Sequence, residues 1–304
     1  MTLPNFLIIG AAKAGTTSLW HAVQQHPQVY MSSVKEPHFF AFENEKPVFR
    51  GPGDEEIMNR ELTTDIESYC SQFKKATDEQ AIGEASTTYL YIPKAPKRIQ
   101  HYIPHAKLIA ILRDPVERAY SSFLHKVREG LEPLTDFTQA LRAEEERISK
   151  NWESLWHYKR RGYYYIQLRR YYDLFDRDQV RVYTYDDFND NPIGISQDIF
   201  RFLDIDDTFR PDILRRQATG IQRSTSLNRL IIGLRQFRPV IEEHFPEKLS
   251  RSLFRIGLEL KNRNLTKPRL QGEMRRQLVQ EYEEDILKLQ DLIQKDLTKW
   301  LKQR

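Results

Sequence analysis

Several features are absent from this 304-residue sequence. It has a single cysteine, Cys70, so no disulfide can form within the chain. No stretch reaches the 18 or so apolar residues that a membrane-spanning helix needs, and the apolar run near the start is short and lacks a preceding basic region. We therefore predict no membrane span, no signal peptide and a cytoplasmic protein. The eight histidines show no spacing typical of metal ligands, which predicts no metal site.

The composition is that of a folded protein with an uneven charge distribution. Hydrophobic residues make up 39% and aromatic residues 12%, enough for one large α/β domain or two small ones. The net charge is +4, but residues 211–276 contain 15 Lys/Arg against 6 Asp/Glu. Such a stretch is usually a solvated face, and an anion-binding wall is the alternative. Because no nucleic-acid-binding module is recognisable, we predict no nucleic-acid partner.

Strand patterns alternate with helix patterns along the chain. Strands are predicted at 6–9, 81–83, 107–112 and 179–185, and helices at 16–25, 66–75, 115–128, 137–150, 163–175 and 192–203. A long amphipathic helix is predicted at 271–301, with Leu278, Tyr282, Ile286, Leu289, Ile293 and Leu297 on one face. This order predicts an α/β fold, a P-loop-like parallel sheet flanked by helices, with C-terminal helical additions. We expect one domain over residues 1–304, with ligands at the carboxyl ends of the strands.

Residues 10–17, GAAKAGTT, join the first strand to the first helix. Glycines there allow a tight turn whose N–H groups face an anion at the positive end of the helix. In the ATP and GTP loop a lysine directly follows the second glycine, whereas here Thr16 holds that position and Lys13 lies two residues before Gly15. The pattern favours a phosphorylated nucleotide bound without Mg²⁺. A kinase or NTPase with a degenerate loop, or a non-catalytic anion-binding module, stays open.

A second candidate phosphate site follows the strand at 107–112. Arg113 stands at the strand end, where its planar guanidinium suits a phosphate. Asp114 fits a helix N-cap and Pro115 the first helical position. Ser121 lies two turns into that helix and can face the same ligand. Without the loop at 10–17, a capped helix with a surface serine would explain these residues equally well.

The two segments together resemble a known family. The KAGTT sequence at 13–17 is similar to the 5′-phosphosulfate loop of sulfotransferases that use 3′-phosphoadenosine 5′-phosphosulfate (PAPS), and ILRDPVERAYS at 111–121 is similar to their 3′-phosphate segment. The resemblance implies that PAPS is the co-substrate and that no metal is needed. It assigns the 5′ end of PAPS to Lys13, Ala14, Gly15, Thr16, Thr17 and Ser18, and the 3′-phosphate to Arg113 and Ser121.

Residues 35–40, KEPHFF, resemble the catalytic segment of the branch that includes heparan sulfate sulfotransferases and bacterial relatives. The resemblance implies that Glu36 is the general base, that His38 assists it and that Lys13 stabilises the leaving phosphate oxygen. A carboxylate suits this task if burial raises its pKa. Judged by residue types alone, Glu36 pairing with a basic neighbour and His38 packing among phenylalanines is the better reading.

Other positions depart from that branch or match it weakly. Ala41 and Ala85 stand where glycan-modifying members often have an acidic residue and a lysine, respectively. Residues 217–224 resemble the late loop over the nucleotide, which implies that Arg223 contacts the 3′-phosphate. Tyrosines at 163–165 fall in the acceptor-side region. The implied reaction is in-line sulfuryl transfer to a hydroxyl or amine of a small-molecule or glycan acceptor, and the oligomeric state stays open.

Overall fold

A five-stranded parallel sheet forms the centre of the computed structural model, which describes residues 2–59, 62–213, 221–222, 265–266 and 268–302. The strands are β1 (Phe6–Gly10), β2 (Val29–Met31), β3 (Ala81–Ala85), β4 (Lys107–Leu112) and β5 (Val180–Thr184), in the spatial order β2-β3-β1-β4-β5. Every neighbouring pair is parallel. Two further strands, β6 (Ile221–Gln222) and β7 (Leu265–Thr266), form a separate antiparallel pair. The predicted parallel sheet is confirmed, with β2 as a strand that the sequence patterns did not predict.

Twelve α-helices occur in the described residues. They are α1 (Thr16–Val23), α2 (Phe39–Phe42), α3 (Ile66–Ser71), α4 (Thr88–Tyr91), α5 (Ala95–Tyr102), α6 (Pro115–Arg128), α7 (Phe137–Arg142), α8 (Glu144–Ser149), α9 (Tyr164–Tyr172), α10 (Tyr185–Asp190), α11 (Pro192–Phe202) and α12 (Gly272–Ile293). Short 3₁₀ turns lie at Ser154–Trp156, Arg160–Gly162, Arg177–Gln179 and Thr298–Leu301, and one π-helical turn at Glu55–Asn59.

Several helix predictions were wrong in their bounds: the helices predicted at 16–25, 66–75 and 163–175 end at Val23, Ser71 and Tyr172, and two others differ more. The helix predicted at 137–150 is divided into α7 and α8 at Ala143. Arg147, in α8, is buried, and its Nη2 lies 2.6 Å from Glu132 Oε1. The helix predicted at 271–301 ends at Ile293, because Gln294 adopts a left-handed conformation with φ of 53°. Leu297 is buried as predicted but lies beyond that helix.

Both faces of the sheet are covered. Phe6 and Ile8 of β1 belong to one hydrophobic cluster, which includes residues of α1 and α11, while Leu7 and Ile9 belong to the other, with α2, α5, α6, α9 and α12. This alternation follows from the two-residue repeat of a strand, and burial on both faces explains why β1 and β4 are almost entirely apolar. Within the described ranges, no helix is long and apolar enough to cross a membrane.

Candidate active site

The loop between β1 and α1 has a backbone that requires its glycines. Gly10 and Gly15 have φ of 153° and 96°, and a Cβ atom would lie 2.8 Å from Leu90 Cβ at the first position and 3.0 Å from Tyr185 Cδ2 at the second. Helix α1 begins directly after Gly15, and no side chain caps its first turn. The positive dipole end of α1 therefore faces the loop, as an anion site requires.

Lys13 and Arg113 meet at this loop although they are a hundred residues apart. The Arg113 guanidinium donates from Nη1 to the Lys13 carbonyl at 3.2 Å. Burial, then the positive charges of Arg128 and Arg113 among the neighbouring groups, lower the pKa of Lys13 to about 7. The loop thus concentrates cationic groups that repel one another. A bound anion would relieve that repulsion and favour the charged form of Lys13.

Arg113 is held by contacts on several sides. Its Nη2 lies 3.6 Å from Glu117 Oε2, its guanidinium stacks over the Tyr185 ring at 4.8 Å, and its carbonyl accepts from the Tyr164 hydroxyl at 3.0 Å. Asp114 caps α6 as predicted, accepting from the N–H groups of residues 116 and 117. Ser121 is buried in the second turn of the same helix. Of the tyrosines at 163–165, Tyr164 therefore contacts the predicted site directly, through its hydrogen bond to the Arg113 carbonyl.

The C-terminal helix reaches the same region through Arg275. Its guanidinium lies 2.7 Å from Asp114 and 3.3 Å from Glu117. Beside these groups is a cavity of about 730 Å³, within the usual size of small-molecule sites. Its lining includes Arg113, Tyr120, Tyr185, Arg269, Arg275, Lys299 and Trp300, together with Asp114, Glu117, Asp186 and Asp190. This lining holds four basic and four acidic side chains, and the aromatic rings beside Arg113 suit a ligand with a flat ring.

Glu36 lies in the segment after β2 in a left-handed conformation, with φ of 60°. Its N–H donates to the Ala85 carbonyl at 3.1 Å, which places it beside the carboxyl end of β3. One carboxylate oxygen, Oε1, accepts from Lys35 Nζ at 2.8 Å, and the other, Oε2, accepts from the Thr87 hydroxyl at 2.9 Å. His38 Nε2 lies 3.9 Å from Oε2, beyond hydrogen-bond distance.

The pKa of Glu36 is low. Burial alone would raise this pKa, but the charge of Lys35, that of His38 when it is protonated, and the hydrogen bonds from Lys35 and Thr87 lower it to about 2. The condition that burial raises this pKa is therefore not met, because an ion pair outweighs desolvation. The pairing of Glu36 with a basic neighbour is also the contact that residue types alone had favoured. At neutral pH the carboxylate is ionised and free to accept a proton once Lys35 withdraws.

His38 is fixed by its own contacts. Its N–H donates to Ser86 Oγ at 3.0 Å, and its Nδ1 lies 2.8 Å from Thr88 Oγ1. Burial lowers the pKa of His38, so the ring is neutral at pH 7. Its ring also contacts Phe42 edge to face. The ring lies beside Glu36 without a hydrogen bond to it, and its assistance to Glu36 stays a prediction.

Three residues of this region were missed by sequence reasoning. Thr87 lies two residues after Ala85, but its hydrogen bond to Glu36 requires the fold. Tyr185 follows β5 at the same edge of the sheet, so the rule that places ligands at strand carboxyl ends could have found it. Arg161 gave no signal: its guanidinium is buried and donates to the Thr87 carbonyl at 2.7 Å, across 74 positions of sequence.

The remaining predicted features have separate outcomes. Tyr163 packs against Tyr282 of α12, and a Cβ at Gly162 would lie 2.6 Å from the Tyr282 hydroxyl, so these two positions serve packing. Arg223 lies outside the described residues, as does most of the basic stretch at 211–276. Among the described residues there is no group of three or more His, Cys, Asp or Glu side chains arranged to hold a metal ion.

The elements so far define an α/β protein with a glycine-containing loop after its first strand, an arginine after the fourth and a carboxylate after the second. Comparisons with known proteins identify the family and the fold. The model of the sulfotransferase domain matches residues 3–230. A crystal structure of a sulfotransferase from Alicyclobacillus acidocaldarius is 32% identical, with a TM-score of 0.78 over 99% of this chain and 100% of that one.

Curated proteins give the same result over shorter regions. Mouse bifunctional heparan sulfate N-deacetylase/N-sulfotransferase 4 is 29% identical over 67% of this chain and 22% of its own length. Human carbohydrate sulfotransferase 15 is 26% identical over 67% of this chain and 44% of its own. The matches thus span less than half the length of these relatives. The chain belongs to the sulfotransferase family, and the predicted family and fold are confirmed.

Proposed function

We propose that this protein transfers a sulfuryl group from PAPS to a hydroxyl or amine of an acceptor. The observation that carries the proposal is the meeting of two phosphate-binding segments with one carboxylate. The Arg113 guanidinium donates to the Lys13 carbonyl, and Glu36 Oε2 accepts from the hydroxyl of Thr87, whose carbonyl lies beside Gly10 at the start of the loop. Donor and acceptor groups would therefore meet at the carboxyl edge of the sheet.

The residues present fit this donor. The 5′-phosphosulfate would occupy the loop, facing Lys13, the N–H groups of residues 15–17 and the hydroxyls of Thr16, Thr17 and Ser18, whereas the N–H groups of Ala14 and Ser18 donate to backbone carbonyls. Arg113 and Ser121 would hold the 3′-phosphate, and Arg113 would exchange its contact with Glu117 for that ligand. The adjacent cavity, with the Tyr185 ring, would take the nucleoside. Arg223 remains a predicted partner of the 3′-phosphate.

In the proposed reaction the acceptor oxygen or nitrogen attacks sulfur in line with the bond to the 5′-phosphate. That S–O bond breaks with its electron pair going to the phosphate oxygen, where Lys13 stabilises the added charge. The acceptor proton passes to Glu36. The products are the sulfated acceptor and 3′-phosphoadenosine 5′-phosphate (PAP), and no step requires a metal.

Glu36 can act as a base only if its ion pair is released. With Lys35 Nζ 2.8 Å from Oε1, the pKa of about 2 makes the carboxylate a weak base. The Lys35 side chain is 28% exposed and can turn toward solvent or toward the acceptor. An acceptor hydroxyl replacing Lys35 at Oε1 would remove the largest influence that lowers this pKa and restore basicity where the proton is delivered.

The names of the relatives and the residues at positions 41 and 85 bear on the class of acceptor. The two curated relatives carry heparan sulfate and carbohydrate in their names, which supports a glycan acceptor. Ala41 and Ala85 remove side chains that would contact such a polymer, which supports a smaller acceptor.

We propose a single catalytic domain over residues 1–304, because α12 lines the nucleotide cavity through Arg275. The cytoplasmic location stays a prediction.

The thermal stability of the protein with different nucleotides tests whether PAPS is the sulfuryl donor. PAP, which carries both phosphates, should raise the melting temperature through preferential binding to the native state, and ATP with Mg²⁺ should raise it far less. PAP should stabilise more than ATP with Mg²⁺ because Lys13 lies before Gly15 and not directly after it, as the lysine of the ATP and GTP loop does. A larger stabilisation by ATP with Mg²⁺ would favour the kinase alternative. Stabilisation by both ligands without turnover of PAPS would favour a non-catalytic anion-binding module.

A further inference from the structure

Thr87 contributes a contact to Glu36 that differs in kind from that of Lys35. The Thr87 side chain is buried, with the residue 6% exposed, and its hydroxyl donates to Glu36 Oε2 at 2.9 Å. The Lys35 side chain is 28% exposed and bonds the other oxygen. One oxygen of the carboxylate is therefore held from inside the protein, and the other is held by a group that can leave.

The position of Thr87 is itself fixed from behind. Its carbonyl accepts from Arg161 Nη2 at 2.7 Å, while Arg161 Nη1 donates to Ser154 Oγ at 2.8 Å. Arg161 is 4% exposed and lies 4.0 Å from Glu153, so a charge partner lies beside this buried guanidinium. The contacts run from Glu153 and Ser154 through Arg161 to Thr87 and end on the carboxylate.

This geometry has a chemical consequence. Threonine has few rotamers, and a buried hydroxyl with an ionised acceptor at 2.9 Å stays bound to it. Oε2 is thereby occupied, and Oε1 becomes the oxygen exposed to an acceptor when Lys35 moves. We infer that Thr87 is a positioning residue that anchors Oε2 of Glu36 and thereby makes Oε1 the oxygen that receives the acceptor proton. The inference rests on the proposed role of Glu36 as base.

A double-mutant cycle tests it. Thr87→Val keeps the shape of the side chain and removes the donor, and Thr87→Ser restores a hydroxyl. Losing a hydrogen bond to a charged group should lower the single-turnover rate of sulfuryl transfer about tenfold to a hundredfold. PAP affinity should change by less than a few-fold, because the hydroxyl that Thr87→Val removes donates to the carboxylate of Glu36. Thr87→Ser should recover most of the lost rate.

The second half of the cycle uses Glu36→Gln. If Thr87 acts through the carboxylate, Thr87→Val should lower the rate much less in the Glu36→Gln background than in the wild type. Thr208→Val is the matched control. The Thr208 hydroxyl donates to Asp206 at 2.7 Å in an exposed turn. In that turn the Asp206 carbonyl contacts His26, which lies outside the proposed site. Melting temperatures of all variants show whether each one folds.

The outcomes separate the two claims. If Glu36→Gln lowers the rate and Thr87→Val does not, or if Thr87→Val has its full effect in both backgrounds, the positioning role is wrong and the base assignment survives. If Glu36→Gln itself leaves the rate unchanged, the base assignment fails and the inference fails with it. A Thr87→Val variant that loses PAP affinity and rate equally would make Thr87 part of donor binding, which also contradicts the inference.

Discussion

Donor binding should be accompanied by protonation of Lys13. In the free protein the pKa of Lys13 is lowered to about 7, first by burial and then by Arg128 and Arg113. A phosphate group in the loop would offset both influences and return the pKa toward its ordinary value of about 10.4. At pH 8 a group with pKa 7 is roughly nine-tenths neutral, so PAP binding should take up about 0.9 proton. Between pH 7 and about 10, PAP affinity should fall about tenfold per pH unit.

Calorimetry in buffers of different ionisation enthalpy measures the proton directly. The variant Lys13→Met removes the ammonium and keeps most of the side-chain length, so the difference between wild type and variant cancels protons exchanged by the ligand. This control matters because the 3′-phosphate has its own pKa of about 6. The expected difference at pH 8 is close to one proton. Equal proton uptake by wild type and variant, with a pH-independent wild-type affinity, would show that Lys13 is already charged in the free protein.

Two further predictions concern Arg113 and His38. The substitution Arg113→Ala should weaken PAP binding by about 1.5–3 kcal/mol, the value of a charge-assisted hydrogen bond, and should leave adenosine 5′-phosphosulfate nearly unaffected because that ligand lacks the 3′-phosphate. Equal losses for both ligands would remove Arg113 from the 3′-phosphate site. His38→Ala should lower the single-turnover rate less than Glu36→Gln does, since a neutral ring 3.9 Å from the carboxylate is suited to orient groups and not to accept the proton. A near-normal rate for Glu36→Gln with none for His38→Ala would make His38 the base.

The sheet and its ligand edge could be predicted because their signals are local. Strands β1 and β4 are buried on both faces and read as continuous apolar runs, and the glycines of the loop mark the turn between β1 and α1. Asp114 and Pro115 marked the start of α6 in the same way. The end of α12 could not be predicted, since Leu297 continues the apolar repeat while Gln294 turns the backbone. Periodicity reports which side chains are buried and does not distinguish a helix from the turn after it.

The properties of the site that could not be predicted from the sequence depend on contacts between residues far apart in the chain. The sign of the Glu36 pKa shift depends on Lys35 reaching Oε1 and on Thr87 reaching Oε2, and the second contact crosses 51 positions. The contact of Arg113 with the Tyr185 ring likewise requires β4 and β5 to be neighbours in the sheet. Motifs therefore identified the segments of the site, and packing between segments decided which atoms meet.

Transfer of labelled sulfuryl from PAPS tests the central claim most directly. The protein would be incubated with PAPS carrying ³⁵S and with separate pools of glycans, phenols, aliphatic alcohols and amines, in the presence of a metal chelator. We predict label in at least one acceptor pool, one PAP formed for each label transferred, and a single-turnover rate about 10²–10⁴ lower for Glu36→Gln with PAP affinity nearly unchanged. PAP binding without label transfer to any pool, or transfer that Glu36→Gln leaves intact, would contradict the account.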